Sequence, residues 1–324
     1  PSSGGMTVAS ALGTLENFYL AGYKPTAMDA NGGKPTVMGV HLISEAERLA
    51  YADRNKYMAD TDFVPLPGGS PAALLDKGYL RSRANLIDFS RSMGTAVAGT
   101  FNTAPLSSST AEGKGTTHMT IVDKQGNVVV MTTTIESGMG SFRMTNGFLL
   151  NNQLTDFSVL ASDAGGPIAN RIQANKRPRS SMAPTLVFKM ADDGSMGDFL
   201  MGTGSPGGST IIQYVVKTLV GVLDWGMDAQ QATSMVDFGA ANSATTNVGG
   251  EHPNINATTP SGGLAGGNDP LVTGLRALGH TVSVSSQSSG ISTIVKATRS
   301  GTTVLEGGAD PRRENLALGD TFKP

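Results

Sequence analysis

The sequence predicts an α+β fold in which two sheets pack together with helices on the outside. Helical spacing and β-rich runs come in blocks, helices first, then strands, then helices, then strands. Glycine supplies 42 of 324 residues and follows no repeat period, about twice ordinary usage, so tight connections between short elements are expected. With 39% hydrophobic residues, the chain can bury a large core.

Helices are expected over 6–20, 36–59 and 71–89. In the second, Val37, Val40, Ile43, Ala46 and Ala50 form one stripe, which puts the charged residues on the opposite face. The third follows Pro71, a residue suited to a first helical turn. The character changes at the Ser/Thr/Gly stretch around 103–115. Residues 117–122 and 128–135 are β-rich, and Asp123-Lys124-Gln125-Gly126-Asn127 between them reads as a hairpin turn. Strands are expected at 184–190 and 197–202. Ile211, Ile212, Val215, Val216, Leu219, Val220 and Leu223 recur at three and four, which predicts a helix over 210–223. The run 239–269, rich in Gly, Asn, Ser and Thr, reads as a long surface loop. A helix at 270–278 and strands at 281–284, 292–298 and 302–305 then close the sheets.

Composition excludes several functions. The net charge is -2 and no basic run occurs, which argues against a nucleic-acid groove. No apolar stretch approaches the roughly 20 residues of a membrane span. The absence of cysteine removes disulfides, thiolate catalysis and Cys-ligated zinc. His41, His118, His252 and His280 include no i, i+4 pair, so they read as structural or surface residues and no metal is expected. Gly202-Thr203-Gly204-Ser205-Pro206-Gly207 fits the dinucleotide fingerprint. Asp224, however, lies just past the following helix, whereas the fingerprint wants its acid at the end of a second parallel strand. No Lys completes a phosphate-binding loop there, and no cofactor is expected.

The chemistry points to Gly115-Thr116. A polar stretch with no apolar period, Ser107 to Gly115, runs into the strand Thr116-Thr117-His118-Met119-Thr120-Ile121-Val122, where an exposed bond can be cut. Cleavage would give Thr116 a free α-amine beside its hydroxyl. With a reference pKa of roughly 7.7 to 8.0, that amine suits a general base, so one residue supplies both nucleophile and base. On this run alone, a Thr-rich edge strand after a surface loop is the competing reading.

Four motifs extend the case: Thr116 through Thr134, Gly147 through Ser158, Asn175 through Thr185, and Gly204 through Ser209. With Tyr51-Ala52-Asp53-Arg54, Asp62-Phe63-Val64 and Ala309-Asp310-Pro311-Arg312-Arg313, they make nearly the whole chain resemble the γ-glutamyltransferase family (γ-glutamyltranspeptidases, or glutathione hydrolases). The resemblance implies a four-layer αββα sandwich of the N-terminal-nucleophile hydrolase type. It implies self-cleavage at 115/116, with residues 1–115 as the C-terminal part of a large subunit and 116–324 as the small catalytic subunit, intertwined in one heterodimeric domain. It also implies a further segment ahead of Pro1, roughly the first half of the large subunit, and a periplasmic or secreted location.

Residue by residue, Thr116 matches the family's nucleophile and Thr134 the threonine that bonds it. Gly207 and Gly208 match the oxyanion-hole glycines. Gln153 and Asp156 match the residues that hold the α-amino group of a γ-glutamyl donor, and Ser180 and Ser181 those that bind its α-carboxylate. Asn151 and Asn152 are expected to brace the loop. Three departures qualify the match. Glu136 stands where the family has an asparagine at the α-amino end, and the lid-like stretch 159–174 is short and tyrosine-free, which suggests an open pocket. The family's carboxylate-pairing arginine falls upstream of Pro1, and no arginine of this chain takes its place by sequence. The reading is a glutathione hydrolase/transferase working through a Thr116 acyl-enzyme, with hydrolysis favoured. A cephalosporin or glutaryl amide acylase, or an inactive precursor or fragment, remains the alternative.

Overall fold

In the computed structural model, residues 1–103, 115–255 and 266–319 are described. The segment preceding Gly115, expected to be the cuttable stretch, lies outside them. The helices are α1 (Gly4–Leu15), α2 (Val37–Tyr57), α3 (Ala72–Leu75), α4 (Lys77–Ala84), α5 (Ile211–Leu223), α6 (Ala229–Ser234) and α7 (Pro270–Ala277). The long strands are β1 (Gly115–Val122), β2 (Val128–Glu136), β7 (Thr185–Met190), β8 (Met196–Gly204), β12 (Ser292–Arg299) and β13 (Thr302–Ala309). Shorter ones are β3 (Met144–Thr145), β4 (Phe148–Leu149), β5 (Ser162–Asp163), β6 (Gly166–Pro167), β9 (Phe238–Gly239), β10 (Thr245–Gly249) and β11 (Thr281–Ser285).

An antiparallel sheet in the order β13-β12-β8-β7 carries the β1-β2 hairpin on one face. Contact is close because β8 is bare there. A Cβ on Gly202 would stand 2.9 Å from Val130 and 3.1 Å from Thr120, and one on Gly204 2.3 Å from the His118 ring. Thr120 Oγ1 also donates to the Ser292 carbonyl at 3.0 Å. Met201, the residue before Gly202 and so on the opposite face of the strand, is fully buried in one cluster with Ile212, Val215 and Val216 of α5 and Val40, Ile43 and Ala50 of α2. The fold is therefore α+β, with two β layers face to face and helices behind.

Four expectations need correction. The helix expected over 71–89 is two short ones, because Asp76 leaves the helical region (ψ 130°) and caps the second through Tyr79 N. The first helix stops at Leu15, followed by a separate turn over Leu20–Tyr23. The run 239–269 is no surface loop: Ala240, Thr246 and Val248 are fully buried. There β10 pairs in parallel with β11 across α7 and antiparallel with β9, so 281–284 joins this separate three-stranded sheet. Residues 256–265 of that run are not among those described.

The fourth concerns α2, whose charged face is not solvated. Glu45, Glu47, Arg48, Asp53 and Arg54 are all buried, since loops close over that side and supply partners. Arg48 pairs with Glu45 at 2.7 Å and reaches Thr246 at 2.8 Å, while Asp53 accepts from Tyr79 at 2.6 Å and from Gly99 N at 2.7 Å. Burial pushes the Glu47 carboxyl up to about 8.

All four histidines are buried. His41 Nε2 faces the Asp88 carbonyl at 2.9 Å, which can only accept. His41 Nδ1 meets His280 Nε2 at 2.7 Å, and His280 Nδ1 meets the Thr246 hydroxyl at 2.8 Å. Burial first, then Arg48 and His41, push His280 down to about 3. A depressed folded pKa gives stability that is present above the unfolded value near 6.5 and is lost as pH falls from there toward 3. Thermal melts between pH 7 and 5 should fall more steeply for wild type than for His280→Gln; parallel curves would refute this account.

Candidate active site

The β1-β2 register sets Thr116 opposite Thr134. Thr116 Oγ1 donates to Thr134 Oγ1 at 3.1 Å, and Thr134 Oγ1 donates to the Gly115 carbonyl at 3.0 Å. Glu136 N fixes the Thr134 hydroxyl from the other side at 2.8 Å. The pairing slips by one residue between Gly115 and Thr116, a bulge that bends the strand at that peptide. Gly115 is pressed against the opposing backbone, since a Cβ there would stand 2.2 Å from the Glu136 carbonyl oxygen. Glu136 itself is held at φ +72°. For a non-glycine residue such a conformation costs on the order of 1–3 kcal/mol.

One cleft is lined by Thr116, Thr134, Glu136, Gln153, Asp156, Ser180, Ser181 and Gly208, with Met182 and Ile211. It thus gathers eight of the nine residues nominated from the sequence. The ninth, Gly207, is next to Gly208 in a turn with φ +143° and +62° at the two positions. The turn must be glycine: a Cβ on Gly207 would come within 2.6 Å of the Tyr214 ring. The cleft holds about 20 Å³, room for about one water, so the open pocket expected from the short 159–174 stretch is not observed. Part of that stretch folds on itself, Ser162 pairing with Pro167.

On one wall, the Gln153 amide donates to the Asp156 carboxylate, and Asn170 Nδ2 bonds the Asp156 carbonyl at 2.7 Å. Asn151 and Asn152 brace this loop as expected. Asn151 accepts from Gln153 N at 2.9 Å, and Asn152 links it to the end of β2 through Ser137 N at 3.0 Å. The Glu136 carboxylate, buried in the cleft, accepts from Ser137 Oγ at 2.5 Å. On the other wall, Ser180 O accepts from Ser3 N and Ser3 Oγ, both at 2.9 Å.

Sequence reasoning missed the second tier of residues. Arg54 Nη2 donates to Ser181 Oγ at 2.6 Å, the Tyr51 hydroxyl donates to the Ser209 carbonyl, and Arg313 Nη1 donates to the Thr116 carbonyl at 3.3 Å. All three lie in motifs that carried the resemblance, and Tyr51 and Arg54 are spaced to share one helix face. Among the described residues, one group has metal-ligand geometry: His41, Glu45 and His280. Its donor atoms are already engaged, the two rings with each other and Glu45 with Arg48, Ser92 and Met93 N. The Gly202–Gly207 fingerprint likewise has no second parallel strand beside it, because β8 is antiparallel to both neighbours.

Comparisons with known proteins place the chain in a family. The Gamma-glutamyltranspeptidase family profile matches residues 1–319. The glutathione hydrolase proenzymes of Escherichia coli K12 and Bacillus subtilis 168 are 38% and 36% identical over 245 and 244 residues, covering 74% and 72% of this chain. An acylase ACY 1 proenzyme from Pseudomonas sp. V22 is 32% identical over 72% of the chain and 36% of its own length. The match spans 38% of the length of each of the two glutathione hydrolase relatives. In structure, cephalosporin acylase from Bacillus halodurans superposes with a TM-score of 0.70 over 97% of this chain and 49% of that one, at 20% identity, which speaks to the fold alone. On the family match and the 38% identity together, the chain belongs to the gamma-glutamyltranspeptidase family.

Proposed function

We propose that this chain cleaves γ-glutamyl amide bonds through an acyl-enzyme on Thr116, after its precursor has cut itself between Gly115 and Thr116. The observation that carries the reading is the convergence of Thr116, Thr134, Gln153, Asp156, Ser180 and Ser181 on one cleft. In the uncut chain, the Thr134 hydroxyl bonds the Gly115 carbonyl, where it would polarise the scissile bond for attack by Thr116 Oγ. The resulting ester is hydrolysed, and residues 1–115 and 116–324 remain as two subunits of one unit. The four-layer αββα sandwich fits the same picture. Met119, Ile121, Val129 and Met131 stand exposed on the outer face of the hairpin, where a second helical layer would lie. A periplasmic or secreted location goes with the family reading.

After cleavage, the freed α-amine of Thr116 takes the proton of its own hydroxyl as Oγ attacks the donor carbonyl. Backbone N–H groups at Gly207 and Gly208 stabilise the oxyanion, each worth about 3 kcal/mol in the transition state. The leaving amine collects the proton, and water then releases glutamate from Thr116. Gln153 already presents an N–H to the Asp156 carboxylate, and the donor's α-ammonium would take that place. Entry of the donor thus exchanges one hydrogen bond for a charged one while the cleft widens. The second reading, an acylase for glutaryl-type amides, draws on the 32% identity to an acylase ACY 1 proenzyme and on Glu136 standing in the cleft where the family has an asparagine, a departure that either strengthens ammonium binding or goes with a different donor.

Two donors separate these readings. A γ-glutamyl anilide carries the α-ammonium and a glutaryl anilide does not, so wild type should prefer the first. Asp156→Asn should cut its kcat/KM about tenfold or more, mainly through KM, since hydrogen bonds to charged groups are worth about 1.5–3 kcal/mol. Equal or better turnover of the glutaryl donor, with Asp156→Asn silent, would favour the acylase. The acyl-enzyme also partitions between water and amine acceptors. Because the 159–174 stretch is short and partly spent on its own hairpin, hydrolysis should dominate, with little stimulation by added dipeptide. A many-fold stimulation with transfer product in excess would contradict that.

A further inference from the structure

One turn of α2 holds two parts of the cleft, the glycine turn and the Ser180-Ser181 wall. Tyr51 and Arg54 lie three residues apart, and the Arg54 guanidinium carbon is 5.6 Å from the centre of the Tyr51 ring. Tyr51 donates to the carbonyl of Ser209, directly after the Gly207-Gly208 turn. Arg54 Nη2 donates to Ser181 Oγ at 2.6 Å, and Arg54 Nε to Ser3 Oγ at 2.8 Å. Ser3 Oγ in turn donates to the Ser180 carbonyl at 2.9 Å. The two serines of one wall are thus gripped from behind, one at its hydroxyl and the other at its backbone. Arg54 is 2% exposed and does not line the cleft, so it acts through Ser181 and Ser3.

We propose that Arg54 is the positioning residue for the α-carboxylate end of the donor, holding the Ser180-Ser181 wall in register and setting a positive charge one hydrogen bond behind it. This rests on the γ-glutamyl reading above and assigns a group to the end of the clamp for which the sequence offers no arginine. A charge shielded from water acts through a lower effective dielectric than one on the surface, so a carboxylate bound at Ser181 gains attraction without touching the guanidinium. The neutral or cationic parts of a donor gain nothing from it. Arg54 therefore sets preference for an α-carboxylate and leaves the reacting carbonyl to Thr116 and the glycine turn. Lysine is a poor substitute, because one ammonium cannot present the forked donors that reach Ser3 and Ser181 together.

The test compares binding of L-glutamate with that of 4-aminobutyrate, the same molecule without its α-carboxylate, by titration calorimetry on the full chain. Wild type should prefer glutamate by about tenfold or more. Arg54→Gln should erase most of that preference, with 4-aminobutyrate binding unchanged within about twofold and the circular dichroism spectrum retained. Arg54→Lys, the variant to read if the Gln form does not fold, should lose part of it. Ser181→Ala should remove the preference as well, and the double variant should add little to either single change. Retained preference in Arg54→Gln and Arg54→Lys, or an equal loss for both ligands, overturns the role of Arg54 alone. A wild type that does not distinguish the ligands overturns the γ-glutamyl reading beneath it.

Discussion

Helix α2 passes through the middle of the molecule with nearly every side chain buried, and that constraint organises what surrounds it. A buried charge is tolerated only where it is paired or hydrogen-bonded, so each charged residue of α2 demands a partner from a neighbouring segment. Arg48 draws in the backbone around Gly94 and Ser243. Asp53 draws in Tyr79 and Gly99, and Arg54 draws in Ser3 and Ser181. Segments far apart in sequence thus meet on one helix. The cleft lies where Arg54 holds Ser181 and, one turn earlier on the helix, the Tyr51 hydroxyl holds the Ser209 carbonyl.

Burial on this scale has an energetic counterpart. Glu47 carries one carboxylate oxygen with no partner among the described residues, and its pKa rises accordingly. The second polar centre is held by ion pairs. Arg312 meets Asp237 at 3.2 Å, Glu251 at 2.6 Å and Asp310 at 3.1 Å, and Asp237 also meets Lys217 at 2.8 Å. This network ties α5 to the residues following β13. It thereby holds Arg313 where it reaches both the Thr116 carbonyl and the Ser288 carbonyl. Two buried polar networks, one on α2 and one around Arg312, thus reach the cleft residues.

Much of the Thr116–Thr134 pairing was legible in the sequence. Two β-rich runs joined by a five-residue turn fix a hairpin register, and that register alone brings Thr116 opposite Thr134. The bulge at Gly115 was not legible, because it depends on the path of the Glu136 backbone at φ +72°. The residues of the two cleft walls came from motif resemblance and not from periodicity, since loop residues carry no period. What failed was any inference from polarity to exposure. The charges of α2 read as a solvated face, and the small polar residues of 239–255 read as a loop. Both are internal because other segments supply their hydrogen-bond partners, information that a local window does not contain.

The central claim is that Thr116 is the nucleophile, for cleavage of its own chain and then for catalysis. N-terminal sequencing of the fragments from the complete, folded protein, run beside Thr116→Ala, tests it most directly. The account predicts a small subunit beginning Thr-Thr-His-Met in wild type and an uncut chain in the variant. A wild-type chain that stays whole, a fragment that starts at another residue, or a variant cut as fully as wild type would contradict it.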